Sequence, residues 1–199
     1  MRLVLFDVGH VIIRADQQIT IGRIQELGVA SERAARCFEN GRYKDFDRGK
    51  ISEVGYYEYL RDEVFAGHDN PSLTYENVED AYGRHLIGVD PTVRDVLESI
   101  RHPIAFATNV TPWQTRREQR LIDLTRYGPV IRSHEIGLGK QDLGAFPVIL
   151  QRLDVVAENV IFIDDLPENV SAAATLGIET ILFRDAAQLI ADLRSLNVL

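Results

Sequence analysis

The chain has 199 residues, 45% of them hydrophobic and 26% charged, which is enough for one globular core domain and a modest insert. Its formal net charge of -8 argues against nucleic acid or an anionic membrane as principal partner, because either would favour a basic face. A single cysteine, Cys37, excludes an intrachain disulfide and a thiolate zinc cluster, and no apolar stretch is long enough to span a bilayer, so the expected location is the cytoplasm.

The first predicted element is the uninterrupted apolar run Leu3 to Phe6, the pattern of a strand buried on both faces of a parallel sheet. It stops at Asp7, where open α/β sheets place their ligands. From about residue 16 to 86 the strand signal disappears. Ile19, Ile24 and Leu27 sit at helical spacing before a stop at Gly28, and Ser31 is expected to cap a second helix through Phe38, broken at Asn40-Gly41. Asp47 to Ser52 is expected to form a loop ending in a Ser52 cap, followed by a helix whose Tyr56, Tyr57 and Tyr59 are packing residues. A further helix is predicted from Tyr75 to Leu86.

Asp90-Pro91 then opens a helix through Val93, Val96, Leu97 and Ile100. The second strand is Ile104 to Ala107, ending at Thr108-Asn109. Thr111-Pro112 starts a helix whose Arg116, Arg117 and Arg120 are expected on a solvated face. Pro129 to Ile131 is the third strand, and Gly137 to Lys140 a loop into the next helix, where Pro147 must fall in the first turn. Strand four, Val160 to Ile163, ends at Asp164-Asp165; Gly177 stops the following helix, Ile178 to Phe183 is strand five, and a last helix covers Gln188 to Leu193. Alternating β and α units predict an α/β fold, a doubly wound, Rossmann-like and mostly parallel sheet with helices on both faces.

Asp7, Thr108, Lys140 and the Asp164-Asp165 pair, in that order and mostly at the ends of apolar strands, resemble the four motifs of the haloacid dehalogenase (HAD) superfamily. The resemblance implies a core of residues 1–15 and 87–199 and a small helical cap, residues 16–86, inserted after strand one. It also implies roles: Asp7 as nucleophile, Thr108 as phosphate donor with the backbone N–H of Asn109, and Lys140 as charge clamp. Asp165 would bind a metal directly with Asp164 behind it or bridged by water, and Asn169 would support the pair. Asp7 as an attacking carboxylate needs a hard cation between it and the phosphate, and Mg2+ suits a few carboxylates, a carbonyl and waters. The expected partner is a small phosphorylated metabolite; no oligomeric state is specified.

The chain departs from the common phosphatase pattern at Gly9, where a second Asp would act as general acid and base. Glycine can offer the metal its carbonyl but cannot protonate a leaving group. Phe6-Asp-Val-Gly-His10-Val11 is similar to a bacterial branch that includes sugar-phosphate phosphatases resembling α-D-glucose-1-phosphate phosphatase, and a good leaving group needs less help from an acid. His10 stands either as the replacement acid or as a histidine held in the loop. Gln141, in place of a common proline, is expected to affect loop rigidity alone. The remaining histidines, His68, His85, His102 and His134, have no metal-ligand spacing and no assigned role. Two other readings stay open: a 2-haloacid dehalogenase, and a non-catalytic protein binding a phosphorylated ligand or a partner. The cap segment from Arg42 to Arg48 is expected to supply loop contacts to substrate.

Overall fold

The computed structural model describes residues 2–38, 41–68 and 70–199. Its centre is a five-stranded sheet, every pairing in it parallel. Strand β1 (Leu3–Phe6) lies in the middle. After it come β2 (Ile13–Ala15) and β3 (Leu86–Val89), which pair antiparallel as a separate ribbon. The other sheet members are β4 (Ile104–Thr108), β5 (Val130–Arg132), β6 (Val160–Asp164) and β7 (Glu179–Leu182), in the spatial order β5-β4-β1-β6-β7. The chain thus moves outward from β1 on one side, then crosses over to β6 on the other. The strand ends flanking β1 therefore lie at the topological switch point, where such sheets form a crevice.

Between β2 and β3 lie α1 (Gln17–Glu26), α2 (Ser31–Ala35), α3 (Gly41–Asp47), α4 (Glu53–Tyr59) with a π-helical turn Leu60–Val64, and α5 (Tyr75–Arg84). The core helices are α6 (Pro91–Ser99), α7 (Pro112–Leu121), α8 (Ser133–Ile136), α9 (Ala145–Leu153), α10 (Pro167–Ala174) and α11 (Ala186–Ser195). Their starts follow from local chemistry. Asp90 accepts from the N–H groups of Thr92 and Val93 ahead of Pro91, and Thr111 and Gln114 form a reciprocal capping box on α7. Pro147 falls in the first turn of α9.

Three apolar clusters hold these layers. One packs Val4, Phe6, Phe106, Ile161 and Ile163 beneath α6 and α11, and a second packs Leu5, Ala107 and Phe162 beneath α9 and α10 on the other sheet face. The third lies within the helical block, where Phe46, Tyr56, Leu60 and Tyr82 surround Trp113 of α7. Trp113 donates its indole N–H to Tyr75 Oη at 2.9 Å, so the block is seated on α7 by both packing and a hydrogen bond. Among the described residues no helix is long and apolar enough to cross a membrane.

The structure corrects several local expectations. Leu86 is in a strand, because α5 ends at Arg84 and the short run from Leu86 to Val89 pairs with β2. Ser31 is the first helical residue of α2 with Ala30 before it, no side-chain cap bond forms, and the helix stops at Ala35 rather than Phe38. The break read at Asn40-Gly41 has Asn40 outside the described residues, and Gly41 opens α3. The supposed loop from Arg42 to Arg48 is largely this helix. Arg116 is not on a solvated face: half-buried, it pairs with Glu79 at 2.6 Å and with Glu53, acids supplied by α5 and α4, while Arg117 donates to the Leu86 carbonyl. The three tyrosines of α4 are packing residues as expected, with Tyr56 fully buried.

Candidate active site

Parallel pairing of β1 with β4 and β6 brings Asp7, Thr108 and Asp164 to neighbouring strand ends. Asp7 continues the ladder, its N–H donating to the Ile163 carbonyl at 2.8 Å. The loop before α9 then lays Lys140 across the gap. Its Nζ lies 2.5 Å from Asp7 Oδ1 and 2.6 Å from Asp164 Oδ2, and its backbone N–H donates to Asn109 Oδ1 at 2.9 Å. Asn109 also donates to Gln141 Oε1 at 2.7 Å, so Gln141 ties the β4 and Lys140 loops together as well as shaping one of them. Asp164 is wholly buried; Oδ1 accepts from the Leu166 N–H at 2.9 Å and from Asn169 Nδ2 at 3.0 Å. These bonds hold it as the anchor of Lys140. Asn169 is buried with its own Oδ1 unpartnered.

Burial pushes the Asp7 carboxyl up to about 7 against the pull of Lys140, with Asp164 adding to the rise. Burial opposes the charge on Lys140, but Asp7 and Asp164 together hold its pKa above the ordinary lysine value. Asp165, half-buried at the rim, is raised by burial and then by Asp164. Asp7, Asp164 and Asp165 each offer an oxygen, all within 4.8 Å of one another. One ammonium does not neutralise three carboxylates in so small a space. This all-oxygen, net-negative donor set fits a hard divalent cation, which would also favour the ionised form of Asp7.

The site opens into a cavity of about 350 Å³, the lower end of the size range of small-molecule pockets. Asp7, Gly9, His10, Thr108, Asn109, Lys140, Asp165 and Asn169 all line it. His10 is exposed in a left-handed conformation (φ 56), its backbone N–H donating to the Ile13 carbonyl at 2.8 Å. Tyr43 and Asp47, from the Arg42 to Arg48 stretch expected to contact substrate, line the cavity from helix α3 rather than from a loop, and His85, Gln114 and Glu118 line it with no role expected from the sequence. Tyr43 and Asp47 are one turn apart on α3, which places both on one face of that helix. His85 is buried; its Nε2 accepts from Gln114 Nε2 at 2.9 Å, while Thr20 Oγ1, which donates to the Ala81 carbonyl, lies 3.3 Å from Nδ1. The proton therefore sits on Nδ1, and burial pushes the imidazole pKa down to about 4.

The sheet order and the inserted helical block match the fold of HAD-like enzymes. A HAD family enzyme from Bacteroides thetaiotaomicron, solved in complex with magnesium and inorganic phosphate, superposes with a TM-score of 0.83 at 18% identity, covering 95% of this chain and 98% of that one. Among curated proteins, a phosphorylated carbohydrates phosphatase from Thermotoga maritima is 33% identical over 100 residues, 48% of this chain and 46% of that protein, so the match spans less than half of the relative's length. A ribulose-1,5-bisphosphate 5-phosphatase from Halopiger xanaduensis is 27% identical over 199 residues, 90% of this chain and 83% of that protein. No family model matches the chain.

Proposed function

We propose that this chain is a magnesium-dependent phosphatase that hydrolyses a small phosphorylated metabolite, a sugar phosphate in the finer reading, through an aspartyl-phosphate on Asp7. The observation that carries it is Lys140 clamped between Asp7 and Asp164 with Asp165 beside them, inside a ligand-sized cavity. Three crowded carboxylates suit a cation-assisted phosphoryl transfer better than halide displacement, which needs no metal. The names and ligands of the similar proteins point the same way.

In this reading Asp7 attacks phosphorus, the bond to the leaving oxygen breaks, and water then cleaves the acyl-phosphate. Lys140 offsets charge on the equatorial oxygens, and the Thr108 hydroxyl and Asn109 N–H donate to them. Asp164 and Asn169 fix Lys140 in place. Asp7 and Asp165, with the Gly9 carbonyl, would hold the magnesium ion, which supplies Lewis-acid stabilisation of the phosphoryl oxygens. The helical block, residues 16–86, serves as a cap that excludes water from the reacting centre. The setting is the cytoplasm.

The test is phosphate release from sugar phosphates and p-nitrophenyl phosphate, with magnesium or with EDTA. Wild type turns over only with magnesium, and Asp7→Asn loses at least about 1,000-fold, the scale expected for removing a nucleophile. Equal turnover in EDTA, or an active Asp7→Asn, would contradict the proposal.

A further inference from the structure

We propose that Asp47 determines specificity in this site: it accepts a hydrogen bond from a hydroxyl of an uncharged, polyhydroxylated leaving group and, with Glu118, rejects substrates bearing a second phosphate. The inference rests on the phosphatase reading and adds the substrate class to it.

The charge lining the cavity is uneven. Among the described residues Lys140 is its sole lysine or arginine, and Lys140 is committed to Asp7 and Asp164. Outside that cluster, among the described residues, two more carboxylates line the cavity, Asp47 from α3 and Glu118 from α7. Both are more than nine-tenths buried. Each has an arginine behind it that does not line the cavity: Arg48 Nη1 donates to Asp47 Oδ1 at 2.9 Å, and Arg132 Nη2 donates to Glu118 Oε1 at 2.8 Å. Arg48 is held further by a bidentate pair with Asp142, so Asp47 is fixed in place. Among the described residues no hydrogen bond reaches Asp47 Oδ2.

These facts select a leaving group. A second phosphate would meet carboxylates in front and find the guanidiniums behind them already engaged. A cationic group would gain little, since each acid is matched by its own arginine. A neutral hydroxyl, in contrast, can donate a charge-assisted bond to Asp47 Oδ2, the oxygen that Arg48 does not engage. Gln114 and His85 add uncharged polar groups to the same wall.

The experiment compares kcat/KM for a hexose monophosphate, the corresponding hexose bisphosphate and p-nitrophenyl phosphate, with magnesium, in wild type, Asp47→Ala and Asp47→Asn. Wild type should prefer the monophosphate over the bisphosphate by about tenfold or more. Asp47→Ala should lose at least about tenfold more on the hexose monophosphate than on p-nitrophenyl phosphate, as expected for one lost charge-assisted bond. Asp47→Asn, which keeps shape and removes charge, should narrow the preference against the bisphosphate about tenfold. Proportional losses on all three compounds, or a wild type that favours the bisphosphate, would overturn the assignment alone. A wild type that turns over none of the three compounds would overturn the phosphatase reading and this inference with it.

Discussion

The residue that sets the chemistry apart is Gly9. A Cβ built there meets nothing within 4 Å and the backbone is not left-handed, so a side chain is sterically free to enter. Gly9→Asp should therefore fold normally and supply the missing general acid. Such assistance is worth roughly 100- to 10,000-fold, and the variant should gain at least about tenfold in kcat on alkyl phosphates, with a smaller gain on p-nitrophenyl phosphate, whose leaving group needs little help. Equal rates on both would show that protonation does not limit turnover. His85 makes a second prediction. Its pKa, pushed down to about 4 by burial, lies below the ordinary 6.5. Between those values the unfolded chain binds a proton that the native state does not, so this residue makes stability rise with pH across the window and fall on acidification. From pH 6.5 to 5 the loss is roughly 2 kcal/mol. In urea melts at the two pH values, His85→Gln should lose that part of the slope; an unchanged slope would mean that the imidazole is not held neutral.

At the scale of elements, the contact between α3 and the segment around α8 fixes how the helical block meets the core. Gly49 follows α3 at φ +66, and a Cβ there would lie 2.2 Å from the His134 carbonyl oxygen. Beside it, Ser133 donates to the Asp47 carbonyl, and Arg48 reaches Asp142 in the Lys140 loop. Gly49→Ala combines left-handed strain with a backbone collision and should cost about 2–4 kcal/mol, read as a lowered urea midpoint together with reduced kcat/KM. A variant as stable and active as wild type would show that this contact does not hold the block. The same junction marks where sequence reading stopped working. The three central strands, β1, β4 and β6, were legible because apolar runs end abruptly in Asp7, Thr108 and Asp164. The ribbon of β2 and β3 was not, since Arg14 and Gly88 interrupt its apolar runs. Ser31 looked like a cap, yet Ala30 precedes the helix. The basic face of α7 looked solvated until Glu53 and Glu79 arrived from elements 63 and 37 residues away.

Across the whole molecule, the placement of charge decides what enters. A chain with net charge -8 binds an anion only where Lys140, strand-end N–H groups and a cation reverse the local field. The positions that carry this reversal were legible because one strand end or loop supplies each. His85, Gln114 and Glu118 were not, and Tyr43 and Asp47 only as part of the Arg42 to Arg48 stretch, since these side chains meet only when the helical block closes on α7 around Trp113. On the proposed reading, catalytic chemistry lies in local motifs and specificity in tertiary packing. The most direct test of the central claim is to quench wild type in acid during steady-state turnover with magnesium and find by mass spectrometry which peptide carries a phosphoryl group. The account predicts one on Asp7, absent in Asp7→Asn. Turnover with Asp7 unmodified and the phosphoryl group on another side chain would contradict it.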